Sequence, residues 1–352
     1  MSKALPLSTP GPSGSDPTAP GRKEDHIELA FQSQAEAGTL DDRFDYEPLL
    51  AAHPAPGSLE PIEWGHRRMR TPLWVSSMTG GTEKALTINH NLARAAGEFG
   101  LGMGLGSCRS LLYDDHRFGD FDVRPLAGDE VPIFANLGVA QVQTLLEAGD
   151  AKLIEELIAA LRLDGLIVHV NPFQEWLQPE GDRFTVSPLV TLRELLRELP
   201  ELDVIVKEVG QGMGPASLRA LLQLPILALD TAANGGTNFS KLELFRSDPL
   251  SRSAYGGLSR VGHAAEEMVR TINGLLDDEA LDVRCQKLII SGGVKGFLDG
   301  YYLTGLSRLP AIYGQASAFL RHAREDYTGL QRFVATQVRG LELAKAYLHP
   351  RP

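Results

Sequence analysis

The sequence predicts an α/β protein of the (β/α)8 TIM barrel class, and three observations carry that prediction. Short apolar runs recur from residue 73 onward. Each ends in small or polar residues, and a helical pattern follows. Alternating strands and helices imply parallel strands with right-handed crossovers. Eight such units in 352 residues suit a closed barrel, whose functional groups gather at the C-terminal strand ends. A doubly wound open sheet ranks lower, because no Gly-x-Gly-x-x-Gly follows the first run.

Residues 1–21 are rich in Pro, Gly and Ser, which predicts a disordered tail before a single barrel domain over 22–350. Apolar residues at 27, 30 and 31 suit a short amphipathic helix. The segment 40–70 reads as irregular, with Pro48, Pro54, Pro56 and Pro61. The strand candidates are then 73–75, 101–105, 132–135, 165–168, 204–206, 226–229, 288–290 and 311–313. Helical patterns between them cover 86–99, 142–161, 189–199 and 264–276. The stretch 237–262 is a long connection before the seventh strand that could act as a lid. One helix over about 318–348 closes the barrel.

Composition narrows the function. Hydrophobic residues make up 43% of the chain, ordinary for a protein with a substantial core. A net charge of −11 argues against nucleic acid or an anionic membrane surface as partner. An anionic small substrate needs a local basic cluster or a metal. The two cysteines, Cys108 and Cys285, offer no disulfide framework and fit a reducing cytoplasm. No run is long and apolar enough to span a bilayer, and no secretory signal is seen.

The densest chemistry follows the fourth strand. Between His169 and Glu175 the chain gathers an imidazole, two amides and a carboxylate, before Pro179 and Gly181 mark a loop. These groups suit an anionic or polar ligand, and Glu175 could hold a hard cation; a solvated loop is the plain alternative. Gly80-Gly81, Gly235-Gly236 and Gly292-Gly293 each follow a strand, where a backbone N–H can approach a phosphate closely. Ser291-Gly292-Gly293 and Gly314-Gln315 fall on the last two strands, where barrels often bind phosphate. Lys207 ends a strand, placed for a phosphate or a flavin near N1 and O2; a salt bridge to Glu208 or Asp230 is the alternative. Arg22, Lys23 and His26 could clamp a diphosphate, or simply begin a charged helix. No Cys-x-x-Cys, His-Glu-x-x-His or Gly-x-Ser-x-Gly is present, so zinc and a serine nucleophile are not indicated. Cys108 reads as a small buried residue.

Taken together, Arg22-Lys23-x-x-His26, Met78-Thr79-Gly80-Gly81, Gly106-Ser107-x-Arg109, His169-x-Asn171-x-x-Gln174-Glu175, Pro179-Glu180-Gly181, Lys207-Glu208-Val209-Gly210, Gly235-Gly236-Thr237-Asn238 and Ser291-Gly292-Gly293 resemble the type 2, FMN-dependent isopentenyl-diphosphate isomerases. The match runs from Arg22 to about Leu320. The resemblance implies flavin contacts from Ser77, Met78, Thr79, Gly80, Ser107, Asn136, Lys207 and Thr237. It implies an FMN phosphate cradle at Ser291, Gly292, Gly293, Gly314 and Gln315. It implies substrate contacts from Arg22, Lys23, His26, Ser107, Arg109, His169 and Asn171, with Gln174 as the catalytic amide and Glu175 as the Mg2+ ligand.

The implied reaction interconverts isopentenyl and dimethylallyl diphosphate in isoprenoid biosynthesis, with FMN kept reduced by NAD(P)H. A homo-oligomer, tetramer or octamer, is also implied. An amide is a poor acid or base near neutral pH, and Glu175 is assigned to the metal, which leaves proton transfer to the reduced flavin. Two departures stand out: Ala233 replaces a usual glycine, and Lys295 replaces a frequent arginine. A rival class is an FMN-dependent oxidoreductase of the hydroxy-acid oxidase kind, which wants a histidine base and an arginine near the late strands. Neither is found at the ends of those strands. A flavin-holding regulatory protein is a third class, against which the intact Gln174 and Glu175 argue.

Overall fold

A computed structural model describes residues 19–79, 82–114 and 116–352. The chain divides at Asp42 into a short N-terminal unit and a main body, Arg43–Pro352. In the N-terminal unit one helix runs Ala19–Leu29, starting inside the segment expected to lack order and ending before Phe31. The rest of that tail, 1–18, lies outside the described residues.

The main body holds a closed barrel of eight parallel strands. In chain order they are β1 (Leu73–Val75), β2 (Gly102–Gly104), β3 (Ile133–Gly138), β4 (Gly165–His169), β5 (Val204–Lys207), β6 (Ala228–Asp230), β7 (Lys287–Ser291) and β8 (Ala311–Gln315). Each pairs with its neighbour in sequence, and β8 closes on β1 through Gly314↔Trp74. Every strand candidate read from the sequence is therefore a barrel strand. Parallel strands covered by helices are apolar on both faces, which is why these runs stood out.

Alternation sorts the strand residues into two cores. Trp74, Phe134, Ile167, Ile205, Ala228, Ile289 and Ile312 fill the barrel interior. Their neighbours, such as Val75, Leu166, Val168, Val206 and Leu229, face the surrounding helices. The interior accommodates its large rings through missing side chains: a Cβ on Gly102 would lie 2.2 Å from the Trp74 ring.

The segment 40–70, expected to be irregular, contains a hairpin of Ile62–Trp64 with Arg67–Met69. Its Trp64 is buried against Trp74, ring centroids 5.7 Å apart, and so plugs the N-terminal end of the barrel. Arg67 anchors the plug through Asp164 at 2.7 Å, and Arg124, itself buried, grips the other oxygen at 2.7 Å. Phe44–Tyr46 pairs with Leu348–Pro350 and ties the two ends of the main body together.

Two predicted helices are each broken in two. The 142–161 pattern becomes Val139–Ala148 and Lys152–Leu161, because Gly149 takes φ +75 and ends the first. The closing helix becomes Ser317–Ala323 and Tyr327–Tyr347, restarted by Asp326, whose carboxylate accepts from the Gly329 N–H at 2.9 Å. The 237–262 connection is largely helical, with Phe239–Arg246 and Pro249–Tyr255 capped by Asn238 and Asp248. Gln211 pins it down, donating to the Leu258 and Val261 carbonyls and accepting from Ser240 Oγ.

Candidate active site

Period-two alternation builds the site directly on the inner core. Two residues beyond the apolar interior layer, on the same face of each strand, stand Ser76, Asn136, His169, Lys207, Asp230, Ser291 and Gly314. Register places these groups side by side: His169 opposite Lys207, Lys207 opposite Asp230, and Ser291 opposite Gly314. The barrel thus changes from hydrocarbon to polar within one step of the pleat, at its C-terminal end.

One cleft is lined by Ser77, Lys207, Thr237, Ser291, Gly292, Gly293, Gly314 and Gln315, together with Ser76 and Gly236. Eight of the residues expected to contact FMN are gathered there. Gly292 has φ +91, and a Cβ on it would lie 2.1 Å from the Ala233 carbonyl oxygen, so only glycine lets these two loops touch. The buried Ser76 and Ser77 hydroxyls and the Gln315 Oε1 have no protein partner. Buried polar atoms without partners are uncommon, so three on one cleft wall fit a polar ligand. Lys207 donates to the Glu208 carbonyl at 2.7 Å. Beside it on the next strand, Asp230 accepts from Ser291 Oγ and the Ala232 N–H. Burial raises the Asp230 pKa, with the Lys207 charge opposing.

The polar stretch after β4 forms a second, connected cluster. Asn171, 2% exposed, donates to Gln174 Oε1 at 3.0 Å and to Glu175 Oε1 at 2.9 Å. The other Glu175 oxygen accepts from the Asp182 N–H at 2.7 Å. Gln174 and Glu175 lie on the short helix Pro172–Leu177, Glu175 buried and Gln174 half-buried. Asn171 Oδ1 is buried without a partner. His169 Nδ1 lies 2.8 Å from Asn136 Oδ1. Desolvation, then the Lys207 charge, push the His169 pKa down to about 3, so the ring is neutral at ordinary pH.

Arg109 sits on the turn after β2 beside exposed Ser107 and makes a two-pronged bond to Asp182, at 2.7 and 3.4 Å. Gln141 also donates to Asp182, at 2.6 Å, while its Oε1 accepts from Gly138 N. Asp182 therefore links β2, β3 and the Glu175 loop, and sequence reading assigned it no role. The same holds for Ser76, whose position two residues past Trp74 was the available signal. Met78 and Thr79 are half-buried after β1, and Gly80 lies outside the described residues. Arg22, Lys23 and His26 share the exposed N-terminal helix. Arg219 and Arg308, which fall between the late strands, are bound to Asp278 and Asp277. Cys108 is buried, and burial pushes its thiol up to about 12.

The chain is 32% identical over 313 residues to an isopentenyl-diphosphate delta-isomerase of Rickettsia peacockii, covering 86% of this chain and 85% of that one. Relatives of the same name from Synechococcus sp. (32%, 95% and 93% covered) and Pseudescherichia vulneris (34%, 86% and 85%) agree. The chain belongs to the isopentenyl-diphosphate delta-isomerase family. No protein-family model matches the chain. Among solved structures, a mandelate oxidase mutant with an FMN adduct matches at TM-score 0.54 and 13% identity over 88% of both chains. A flavocytochrome b2 mutant with sulfite bound matches at TM-score 0.58 and 13% identity, over 86% of this chain and 71% of that one. At that identity these show a shared barrel. Among the described residues, no helix is long and apolar enough to cross a membrane.

Ala233 and Lys295 both lie on strand-end loops. Ala233 is fully buried, donates its N–H to the Ser291 carbonyl at 2.9 Å, and follows Ala232, which holds φ +37. That main-chain bond ties the loop after β6 to β7. Lys295 is held through its main chain, whose N–H donates to Asp299 at 2.8 Å.

Proposed function

We propose that the protein interconverts isopentenyl diphosphate and dimethylallyl diphosphate, using FMN kept reduced by NAD(P)H and Mg2+ on the diphosphate. The observation that carries this reading is the adjacency of two unlike clusters on one barrel rim. A cleft with glycine walls and unsatisfied hydroxyls adjoins a histidine–amide–carboxylate cluster whose Glu175 carboxylate is held at both oxygens by the Asn171 amide and the Asp182 N–H.

The cleft fits FMN on its own chemistry. Backbone at Gly292 and Gly293, with Ser291 and Gln315, would hold the phosphate, and Lys207 would stand toward the electron-rich edge of the ring system. When bound and reduced, FMN supplies a proton-transfer group beside the substrate carbons. Glu175 fits Mg2+, which takes a carboxylate together with substrate phosphate oxygens and water. Asn171 and the Asp182 N–H fix both oxygens of that carboxylate in place.

The roles of the chain's own groups follow. Arg109 would exchange Asp182 for a diphosphate oxygen. Gln174, held by Asn171, presents its Nε2 to the reacting carbons; an amide there orients without taking a proton. Keeping the diphosphate charge on the metal and basic side chains leaves the carbon end against the cleft.

The test is direct. Purified protein is reduced anaerobically with FMN, given isopentenyl diphosphate and Mg2+, and assayed for the allylic isomer. Formation of dimethylallyl diphosphate is expected. Flavin bound and reduced with no isomer formed would overturn the reading.

A further inference from the structure

Asn136 and His169 are 33 residues apart in sequence and meet at the rim. Asn136 Nδ2 donates to the Leu105 carbonyl at 3.1 Å, which fixes the orientation of the amide. Its Oδ1 is therefore the atom facing His169, and it can only accept. The imidazole must carry its hydrogen on Nδ1. Turning the amide over would set an N–H against the ring and a carbonyl against the Leu105 carbonyl. On a neutral ring, Nε2 is then a bare lone pair.

That lone pair is badly matched to an anion. Nε2 lies over Gly138, where a Cβ would stand 3.0 Å away, so the glycine leaves its approach open. Lys207 faces the ring from β5, Asp230 lies beyond Lys207 on β6, and the Gln141 amide flanks Gly138. No hydrogen from these groups is directed onto Nε2.

We infer that the diphosphate binds with uptake of one proton at His169 Nε2, and that Asn136 enforces this by holding the other ring nitrogen as a donor. An incoming phosphate oxygen meets a lone pair and cannot be held by it. The proton comes from solvent, forms the Nε2–H bond and makes the ring cationic. The ring then donates to the anion at Nε2 and to Asn136 at Nδ1. The anion supplies the favourable charge that burial and Lys207 deny the ring in its absence. The inference rests on the diphosphate reading of the site and adds that the empty and filled sites differ by a proton.

The experiment uses the full chain, loaded with FMN and labelled with 15N-histidine, titrated with inorganic diphosphate and Mg2+. His169 is identified as the ring signal missing from His169→Gln. Before diphosphate, its Nδ1 should be protonated and its Nε2 bare; afterwards both should be protonated. Calorimetry in buffers of different ionisation enthalpy should show about one proton fewer taken up by His169→Gln than by the wild type. In Asn136→Leu the ring is free to carry its hydrogen at Nε2, and the uptake should fall close to that of His169→Gln. An Nε2 that stays bare, or is already protonated before diphosphate is added, overturns the inference on wild-type protein alone. If isopentenyl diphosphate still turns over in that case, the isomerase reading stands without it. If diphosphate leaves His169 unchanged and no isomer forms, both fall.

Discussion

Replacing Glu175 with glutamine separates a metal ligand from a structural carboxylate. Both oxygens of Glu175 are acceptors, one for the Asn171 amide at 2.9 Å and one for the Asp182 N–H at 2.7 Å. Glutamine keeps the shape but turns one oxygen into an NH2. Whichever way the new amide faces, a donor meets a donor. A buried donor left unsatisfied costs about 1–3 kcal/mol, and that is the expected loss of stability for Glu175→Gln. The metal role adds a second, separable effect. A neutral amide oxygen holds Mg2+ less well than a carboxylate, so the activity titration should move to higher Mg2+. Urea denaturation reads the first effect and a Mg2+ titration of isomer formation reads the second. Lower stability with an unmoved Mg2+ titration would refute the metal assignment. Unchanged stability would refute the two-acceptor geometry on which the magnitude rests.

Further outcomes are expected at other positions. Gln174→Ala should abolish isomer formation while flavin absorbance stays with the protein; release of flavin would mean that Gln174 serves the cofactor. Removal of Arg109 as Arg109→Ala should raise KM by about tenfold to a hundredfold with kcat little changed, the loss of one charge-assisted contact of about 1.5–3 kcal/mol; a fall in kcat alone would contradict this. Because the folded-state pKa of His169 is depressed, its contribution is present above the ordinary imidazole pKa of 6.5 and is lost as pH falls from there toward about 3. Over that window the ligand-free protein should lose about 1.4 kcal/mol per pH unit relative to His169→Gln, and parallel stability profiles would refute it. Gly165→Ala would place a Cβ 2.2 Å from the Asp203 carbonyl oxygen and 2.5 Å from the Phe134 ring. Overpacking of this kind is worth about 1–3 kcal/mol, and a denaturation midpoint equal to that of the unaltered chain would show that the barrel yields there.

The barrel was legible in the sequence, because a strand buried on both faces is a short apolar run and its end is a sudden polar residue. Lys207, Ser291 and Gln315 could be placed at the rim for that reason alone. Two strands and two helices taught the limit. Gly149 and Asp326 break patterns that are apolar on both sides of the break, and apolar periodicity is insensitive to a single left-handed turn or cap. The hairpin around Trp64 escapes pattern reading because its two three-residue strands are too short for any period to register, and Trp64 and Met69 are buried only by packing on the barrel's inner core, Trp74 included.

Partnerships were decided only by tertiary structure. Asp182 looked like the end of a loop, yet it receives Arg109 and Gln141 from two other strand ends and lends its N–H to Glu175. Asn136 and His169 each looked like a ligand contact, and folding makes one of them set the hydrogen of the other. Local pattern reports which face a residue occupies, because that depends on the pleat and the helical turn. It carries no information on which distant polar atom a side chain will meet, since that depends on the register of eight strands closing into one ring. The sequence by itself therefore determined the barrel and the kinds of chemical group at its mouth, and the closed structure decided which of those groups hold one another and which remain open to a ligand.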